Sequence, residues 1–382
     1  MRTNNVRTLV LLLGPLDHDT RVLKTLRFLR LRGQVDILCI GNSERVPDAR
    51  SVDFRPGRRM LPGASAMLLR IRFLAAALRL VRPKEQCICY CNDLTALQVG
   101  CLLQVIRGRC VKLVYDSHEL AINDRPGEGR LRIFAKYLIE RLCIRNVSEV
   151  ICVSDSIADE YSRMYRIPRP TLVMNCPPLQ ILAHGDVVRT TLGLRKDQRI
   201  FLYQGRLTTG RGIELLMDSF EARKGDRNVI VFMGHGPSEQ SIRDRSAACP
   251  SIQLLPAVPP QELLSWTASA DYGVCFIEDS CLSYRYCLPN KLFEYMMAGI
   301  PVLASNTIDV RRLVEKEGVG IVARTNTIAG FEEALDKLLL EDPSTWRNNA
   351  RKASITYCWE KQEARMGESL DRVSATCLSD DI

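Results

Sequence analysis

Short apolar runs alternate with amphipathic stretches along the whole chain. Leu9 to Leu13 is apolar, closes at Gly14 and reads as a buried strand. Val22, Leu23, Leu26 and Leu29 recur near helical spacing, which predicts a helix over 21–32 that Gly33 stops, with the next strand at 35–40. The rhythm continues through a helix at 64–82, strands at 86–91 and 111–115, a helix at 129–146 and a strand at 149–153. It breaks at Val173-Met174-Asn175-Cys176-Pro177-Pro178, where the proline pair reads as a linker. It then restarts with strands at 200–204, 228–233, 252–256 and 272–277, and ends in a helical tail from Trp346 to about Val373. Strands alternating with helices imply parallel sheets. The first strand–loop–helix–strand unit is Rossmann-like, although its loop lacks the GxGxxG of a dinucleotide site.

One stretch breaks the polar/apolar rule. Residues 288–305, LPNKLFEYMMAGIPVLAS, predict a helix opened by Pro289 and stopped by Gly299, followed by a short strand from Ile300 to Ala304. Leu292, Phe293, Tyr295, Met296 and Met297 make that helix apolar nearly all round, so it should be buried. Glu294 sits in its middle. A buried carboxylate is costly without a partner. It reads either as a salt bridge to Lys291 one turn back or as a group that holds ligand hydroxyls. In the second case the helix N-terminus at 289–292 is free to bind phosphate.

Two other strand ends carry candidate chemistry. Strand 200–204 runs into Gly205-Arg206-Leu207-Thr208-Thr209-Gly210-Arg211-Gly212, where glycines admit close backbone approach and two cations five apart can flank a diphosphate. Strand 111–115 runs into Tyr115-Asp116-Ser117-His118-Glu119, and open α/β sheets bind ligands beyond the carboxyl ends of their strands. Gly234 closes strand 228–233 in the same kind of position. Asp17-His18-Asp19 reads as turn and helix-capping residues more than as a metal site.

These motifs together resemble the retaining glycosyltransferases of the GT-B fold, the large family four that includes many bacterial cell-surface sugar transferases, in the branch that reads LPNKLFEYM. The resemblance implies two Rossmann-like domains facing a cleft: 1–178 for an acceptor, 179–360 for a nucleotide-sugar donor, and 361–382 as a helix crossing back with a tail. It implies that Glu294 binds the donor ribose and that the turn with Asn290, Lys291 and Leu292 meets the diphosphate. Arg206 and Arg211 become catalytic cations, although the family carries Lys where Arg211 stands. His118, in a YDxHE segment, lies near the donor sugar; its other reading is a capping or turn histidine. Gly14, Gly205, Gly234 and Val258 complete the donor contacts, Val258 by the nucleobase. The commoner family pattern has a second Glu, contacting the sugar, where this chain has Tyr286. Glu278 and Asp279 are the carboxylates near enough to replace it. Family likeness also implies retention of anomeric configuration and no divalent metal or other cofactor, since cations and a helix dipole suffice.

Composition and charge refine the picture. At 382 residues the chain has length for two cores, and no apolar run reaches the roughly 18 residues of a membrane span. The Leu9–Leu13 run is too short for a signal-peptide core. Fifteen cysteines are scattered without a framework, and Cys87, Cys89 and Cys91 share one strand face, which reads as core thiols in a reducing, cytoplasmic setting. Residues 1–180 hold 29 Lys/Arg against 17 Asp/Glu, while 181–382 hold 24 against 27. The basic half suggests an anionic partner: a membrane surface, a lipid phosphate or an acidic glycan. Arg70, Arg72, Arg79 and Arg82 make helix 64–82 either a membrane-lying helix or an ordinary crossover helix. The expected partners are a nucleotide-sugar donor, a glycan or lipid-linked acceptor and an anionic membrane surface, with no nucleic acid. A non-catalytic GT-B partner subunit and a nucleotide-sugar epimerase of the same fold remain as alternatives.

Overall fold

The computed structural model describes residues 6–17, 19–52, 62–223, 225 and 227–379. His18 of the Asp17-His18-Asp19 triplet lies outside the described residues; Asp19 caps the first helix by accepting from Val22 N. The chain divides into two compact units. Unit 1 holds residues 1–123, 128–173 and 363–382, and unit 2 holds 124–127 and 174–362.

Unit 1 runs β1 (Arg7–Leu11), α1 (Thr20–Arg30), β2 (Val35–Ile40), β3 (Arg50–Val52), α2 (Pro62–Leu80), β4 (Cys87–Cys91), α3 (Leu94–Arg107), β5 (Val111–Ser117), α4 (Arg130–Ile144), β6 (Val147–Cys152), α5 (Asp155–Tyr165) and β7 (Thr171–Leu172). Its seven strands are parallel, in the order β3-β2-β1-β4-β5-β6-β7. The order reverses after β3, so right-handed crossovers put α1 on one face and α2, α3 and α4 on the other. Cys87, Cys89 and Cys91 are fully buried in β4 with free thiols, as core residues.

Unit 2 runs α6 (Val187–Leu192), β8 (Arg199–Arg206), α7 (Ile213–Ala222), β9 (Asn228–His235), α8 (Glu239–Ala248), β10 (Ile252–Leu255), α9 (Leu263–Thr267), β11 (Tyr272–Cys275), α10 (Leu282–Arg285), α11 (Asn290–Ala298), β12 (Val302–Ala304), α12 (Ile308–Glu317), β13 (Gly320–Val322), α13 (Ile328–Leu340) and α14 (Ser344–Thr356). Six parallel strands follow the order β10-β9-β8-β11-β12-β13. α15 (Trp359–Ser379) starts in unit 2, and its later residues belong to unit 1. Both units are therefore Rossmann-like α/β layers.

The tail differs from its sequence pattern. It is two helices rather than one, because the helical conformation ends at Tyr357 (φ −100°, ψ 60°). The Tyr357 ring packs 5.9 Å from that of Phe293, its hydroxyl donates to Glu317, and Trp359 N donates to Pro177 O. Tertiary contacts at the joint outweigh continued helix.

β5 shows how alternation builds unit 1. Tyr115 and Ser117 point to one face. There the Tyr115, Tyr161 and Tyr165 hydroxyls donate to the fully buried Glu140 carboxylate over 2.7, 2.7 and 2.6 Å. Burial pushes the Glu140 carboxyl up, and the tyrosine bonds counter part of that rise. The cluster ties α4, α5 and β5 together. Glu140→Leu leaves three buried hydroxyls without their acceptor, at about 1–3 kcal/mol for each that finds no substitute. Urea unfolding of the variant is expected to show a loss of at least one such step; an unchanged midpoint contradicts this account.

Candidate functional site

The sheet order of unit 2 reverses at β8. Its chain leaves toward β9 on one side, while β11 leads to β12 on the other. Such a reversal opens a crevice beyond the strand carboxyl ends. β8 and β11 pair only at Phe201–Tyr272 and Leu202–Gly273, and then part. Tyr295 of α11 enters the gap. Its buried hydroxyl lies 2.9 Å from Leu202 O and 3.2 Å from Val274 O, and accepts from Gln204 N at 3.3 Å. A Cβ on Gly273 would stand 2.4 Å from the Tyr295 ring, so the strand requires glycine there.

α11 brings the expected residues to this gap. It begins at Asn290, with Pro289 as an N-cap that offers no side-chain hydrogen bond. Its first N–H groups therefore keep their capacity to bind an anion. Asn290 is exposed and Leu292 is fully buried in the core, so Leu292 can offer a ligand only its backbone. Glu294 is half-buried and accepts a 2.5 Å hydrogen bond from Gln204 Nε2. Gln204 is 1 % exposed, and its Oε1 lies 2.8 Å from Thr267 Oγ1, which fixes the amide orientation.

Lys291 does not pair with Glu294, which overturns the salt-bridge reading of these two residues. Its ammonium instead lies 3.4 Å from the centroid of the Tyr203 ring, buried, with no hydrogen-bond acceptor. Burial lowers its pKa to about 7; the nearby Cys275 and Glu294 oppose the shift and the cationic Arg211 adds to it. The Lys291 side chain comes within 3.9 Å of where a Cβ on Gly205 would be. An ammonium stripped of water and acceptors is poised for an incoming anion.

The neighbouring loop supplies more positive charge. Arg206 ends β8, exposed, with no side-chain partner among the described residues. Arg211 lies 4.4 Å over the Tyr284 ring. Gly234 stands opposite Gly205 in register, and a Cβ there would be 1.9 Å from Gly205 O. Val258 follows β10 at the sheet edge, two strands from β8. Tyr286 caps α10 half-buried. Neither carboxylate proposed to stand in for a Glu at Tyr286 is uncommitted. Glu278 accepts from Gly212 N at 3.2 Å, and Asp279 pairs with Arg285 at 2.8 Å.

Gly14 and His118 belong to unit 1, following β1 and β5. His118 Nε2 is 3.5 Å from Asp116 Oδ2. Asp116 is fully buried and accepts from Arg21 Nη2 at 2.6 Å, Arg21 Nε at 3.0 Å and the Tyr90 hydroxyl at 2.7 Å. Burial alone would raise the Asp116 carboxyl, but Arg21 and His118 overcome it and hold the group well below the usual carboxylate range. The polar run at 115–119 is thus divided: Tyr115 and Ser117 are structural, Asp116 is ion-paired, and His118 keeps an accessible edge.

Residues 19–177 match the family model described as "Glycosyl transferase 4-like domain", and residues 198–341 match "Glycosyl transferases group 1". The two together take in 303 of the 382 residues. The chain belongs to the group 1 glycosyltransferases. D-inositol 3-phosphate glycosyltransferase 1 of Catenulispora acidiphila is 24% identical over 92% of this chain and 88% of its own length. A putative teichuronic acid biosynthesis glycosyltransferase of Bacillus subtilis, TuaC, is 22% identical over 54% of this chain and 50% of its own. Among solved structures, sucrose-phosphate synthase from Thermosynechococcus elongatus superposes with a TM-score of 0.77 at 16% identity, covering 97% of this chain and 100% of that one. Anabaena HepE in complex with UDP and glucose gives 0.73 at 15%, covering 96% and 100%. At those identities the likeness speaks for the fold, and the fold is GT-B.

In this glycosyltransferase, reasoning from sequence passed over Gln204, Tyr203 and Tyr295. The available signal was a glutamine closing the apolar run Phe201-Leu202-Tyr203, where a buried amide must find partners. It passed over Arg21 as well, since a helix-surface arginine gives no sign of its strand partner.

Lys291 yields a signed pH prediction. Its folded pKa, about 7, lies below the unfolded 10.5, so between those values the unfolded chain binds more protons and stability rises with pH. Lys291→Met removes this liability. The ligand-free variant should unfold at a higher temperature than wild type near pH 7, with the gain shrinking as pH rises toward 10.5. A melting series that shows no gain at neutral pH counts against a strained ammonium.

Proposed function

We propose that this protein transfers a sugar, with retention of configuration, from a nucleoside-diphosphate sugar to a glycan or lipid-linked acceptor in cell-surface polysaccharide synthesis. The observation that carries the reading is the unpartnered Lys291 ammonium buried where β8 and β11 part, beside the uncapped start of α11. A diphosphate supplies the acceptor that this ammonium lacks. Arg206 and Arg211 face the same leaving group, where negative charge grows as the sugar departs. Glu294, oriented by Gln204, takes the ribose hydroxyls. His118, held by Asp116, acts at the sugar or the acceptor. Three cations and a helix dipole suit metal-free departure of the diphosphate. HepE, solved with UDP, and TuaC, with its teichuronic acid role, support a uridine nucleotide and a surface polysaccharide respectively.

Tyr286, in place of a sugar-contacting Glu, favours a second reading: a subunit that binds nucleotide sugar without turnover. Release of nucleoside diphosphate from a panel of donors, with and without acceptor glycans, separates the readings. Acceptor-dependent release supports transfer. Binding without release supports the silent subunit, and conversion of donor without acceptor supports an epimerase.

Arg206→Ala should cost on the order of 1.5–3 kcal/mol in diphosphate binding, and should slow transfer further because the charge peaks in the transition state. Glu294→Gln should weaken diphosphate and donor alike while leaving the chemical step less changed. His118→Ala should lower kcat with little change in donor affinity. Calorimetry with UDP and initial rates check all three. Wild-type affinity in both folded Arg206→Ala and Glu294→Gln proteins would falsify the shared donor site.

A further inference from the structure

The outer helices of unit 1 carry most of the large apolar side chains exposed among the described residues. α2, α3 and α4 lie side by side on one sheet face. Their sequences contain eight Lys/Arg and a single carboxylate, Glu140, which is fully buried under three tyrosines. Of the seventeen large apolar side chains exposed among the described residues, ten stand on these three helices. Met67 and Ile71 are on α2, and Leu102, Val105 and Ile106 are on α3. On α4, Leu131, Phe134, Leu138 and Leu142 recur at intervals of three and four, which draws one stripe along the helix.

Part of the positive charge on this layer has no carboxylate partner among the described residues. Arg79, Arg130, Arg141 and Arg145 are exposed, and no carboxylate pairs with them among the described residues. Arg132 and Lys136 are matched by Glu128 just ahead of α4, at 3.1 and 2.7 Å. Where α4 meets the end of α5 there is a cleft of about 660 Å³, lined by Tyr137, Arg141, Arg145, Arg163, Tyr165 and Arg166 among others. Tyr137 and Tyr165 stack at 5.7 Å, and Arg141 donates to the Tyr137 hydroxyl at 2.8 Å. Arg163 is paired with Glu160; Arg166 is not paired.

We propose that the α2–α3–α4 layer docks on an anionic phospholipid bilayer, with the α4 stripe set among the acyl chains and the arginines of the cleft on lipid phosphates. An apolar stripe flanked by cations, on helices whose single carboxylate is buried and beside an α5 whose Asp155 and Asp159 are paired with Arg169, fits a lipid interface. A protein partner of ordinary composition would leave like charges facing a mixed surface, and the stripe is aliphatic apart from Phe134, where protein interfaces favour several aromatics. The docking face extends the expectation made for helix 64–82: α2 takes part, but the densest stripe belongs to α4. The proposal does not depend on sugar transfer, and its test uses no sugar.

The test is flotation of the full-length protein with vesicles of phosphatidylcholine alone or with added phosphatidylglycerol. Wild type should float with the anionic vesicles and remain behind with the neutral ones, and added salt should weaken the binding. Arg141→Gln with Arg145→Gln should lower vesicle affinity by about thirtyfold, since each cation near the surface contributes roughly fivefold. Phe134→Asn with Leu142→Asn should lower it as well, with unfolding temperature unchanged because the side chains are exposed. Leu340→Asn, an exposed apolar residue of unit 2, should have no effect. Equal flotation with both vesicle types overturns the proposal, as does wild-type binding by folded α4 variants. Free inorganic phosphate that abolishes flotation at unchanged ionic strength would assign the cleft to a soluble anion and overturn the bilayer. Concentration-dependent dimerisation that Phe134→Asn with Leu142→Asn abolishes would assign the face to a second copy and overturn it too.

Discussion

The Tyr295 hydroxyl fills the gap in unit 2 where β8 and β11 stop pairing. Past Gly273, β8 and β11 no longer exchange backbone bonds, and buried backbone groups without partners would be costly. Tyr295 meets that need from α11, reaching Leu202 O, Val274 O and Gln204 N with a single oxygen. The helix is thereby fixed by its side chain to the end of the sheet. Its N-terminus, Lys291 and Glu294 take their positions from that anchor. Gly273 is the complementary constraint, since any side chain there would displace the ring.

Around this anchor the protein accepts a local electrostatic cost. Lys291 is buried over the Tyr203 ring without an acceptor, and desolvation brings its proton close to release at neutral pH. Nothing in the packing of the fold needs an ammonium there. A cation that is poorly solvated before binding gains more from an anion than a solvated one does, which is how a site converts stability into affinity. Glu294 is treated in the opposite way. Gln204 satisfies it in advance and Thr267 orients Gln204, so the carboxylate is held in one geometry.

Unit 1 places its polar groups by the two-residue period of β5. One face gives Tyr115 and Ser117 to the Glu140 cluster, and the other gives Asp116 to Arg21 and Tyr90. His118 stands just past the strand, beside a carboxylate that is fully committed to its anion form. The same arrangement leaves α4 with its acid turned inward and its apolar stripe turned outward. A single helix thus serves the core through Glu140 and Ile144 while presenting Leu131, Phe134, Leu138 and Leu142 to the surroundings.

Period and punctuation in the sequence alone determined the α/β layering, because alternating apolar runs and glycine stops are local properties. The helix at 290–298, the odd carboxylate within it and the glycine-bounded Arg206 loop were legible for the same reason. What Lys291 does was decided only in three dimensions: at one turn's spacing it reads as the partner of Glu294, yet Tyr203 and Gln204, some ninety residues earlier, take the two apart. The break in the tail at Tyr357 likewise depends on Phe293 and Glu317. Arg21 and Asp116, 95 positions apart, form a buried pair that no local pattern announces. Sequence spacing fixes which side chains share a face of one element; which faces meet is settled by packing, and the burial and pairing that set each group's chemistry come with it.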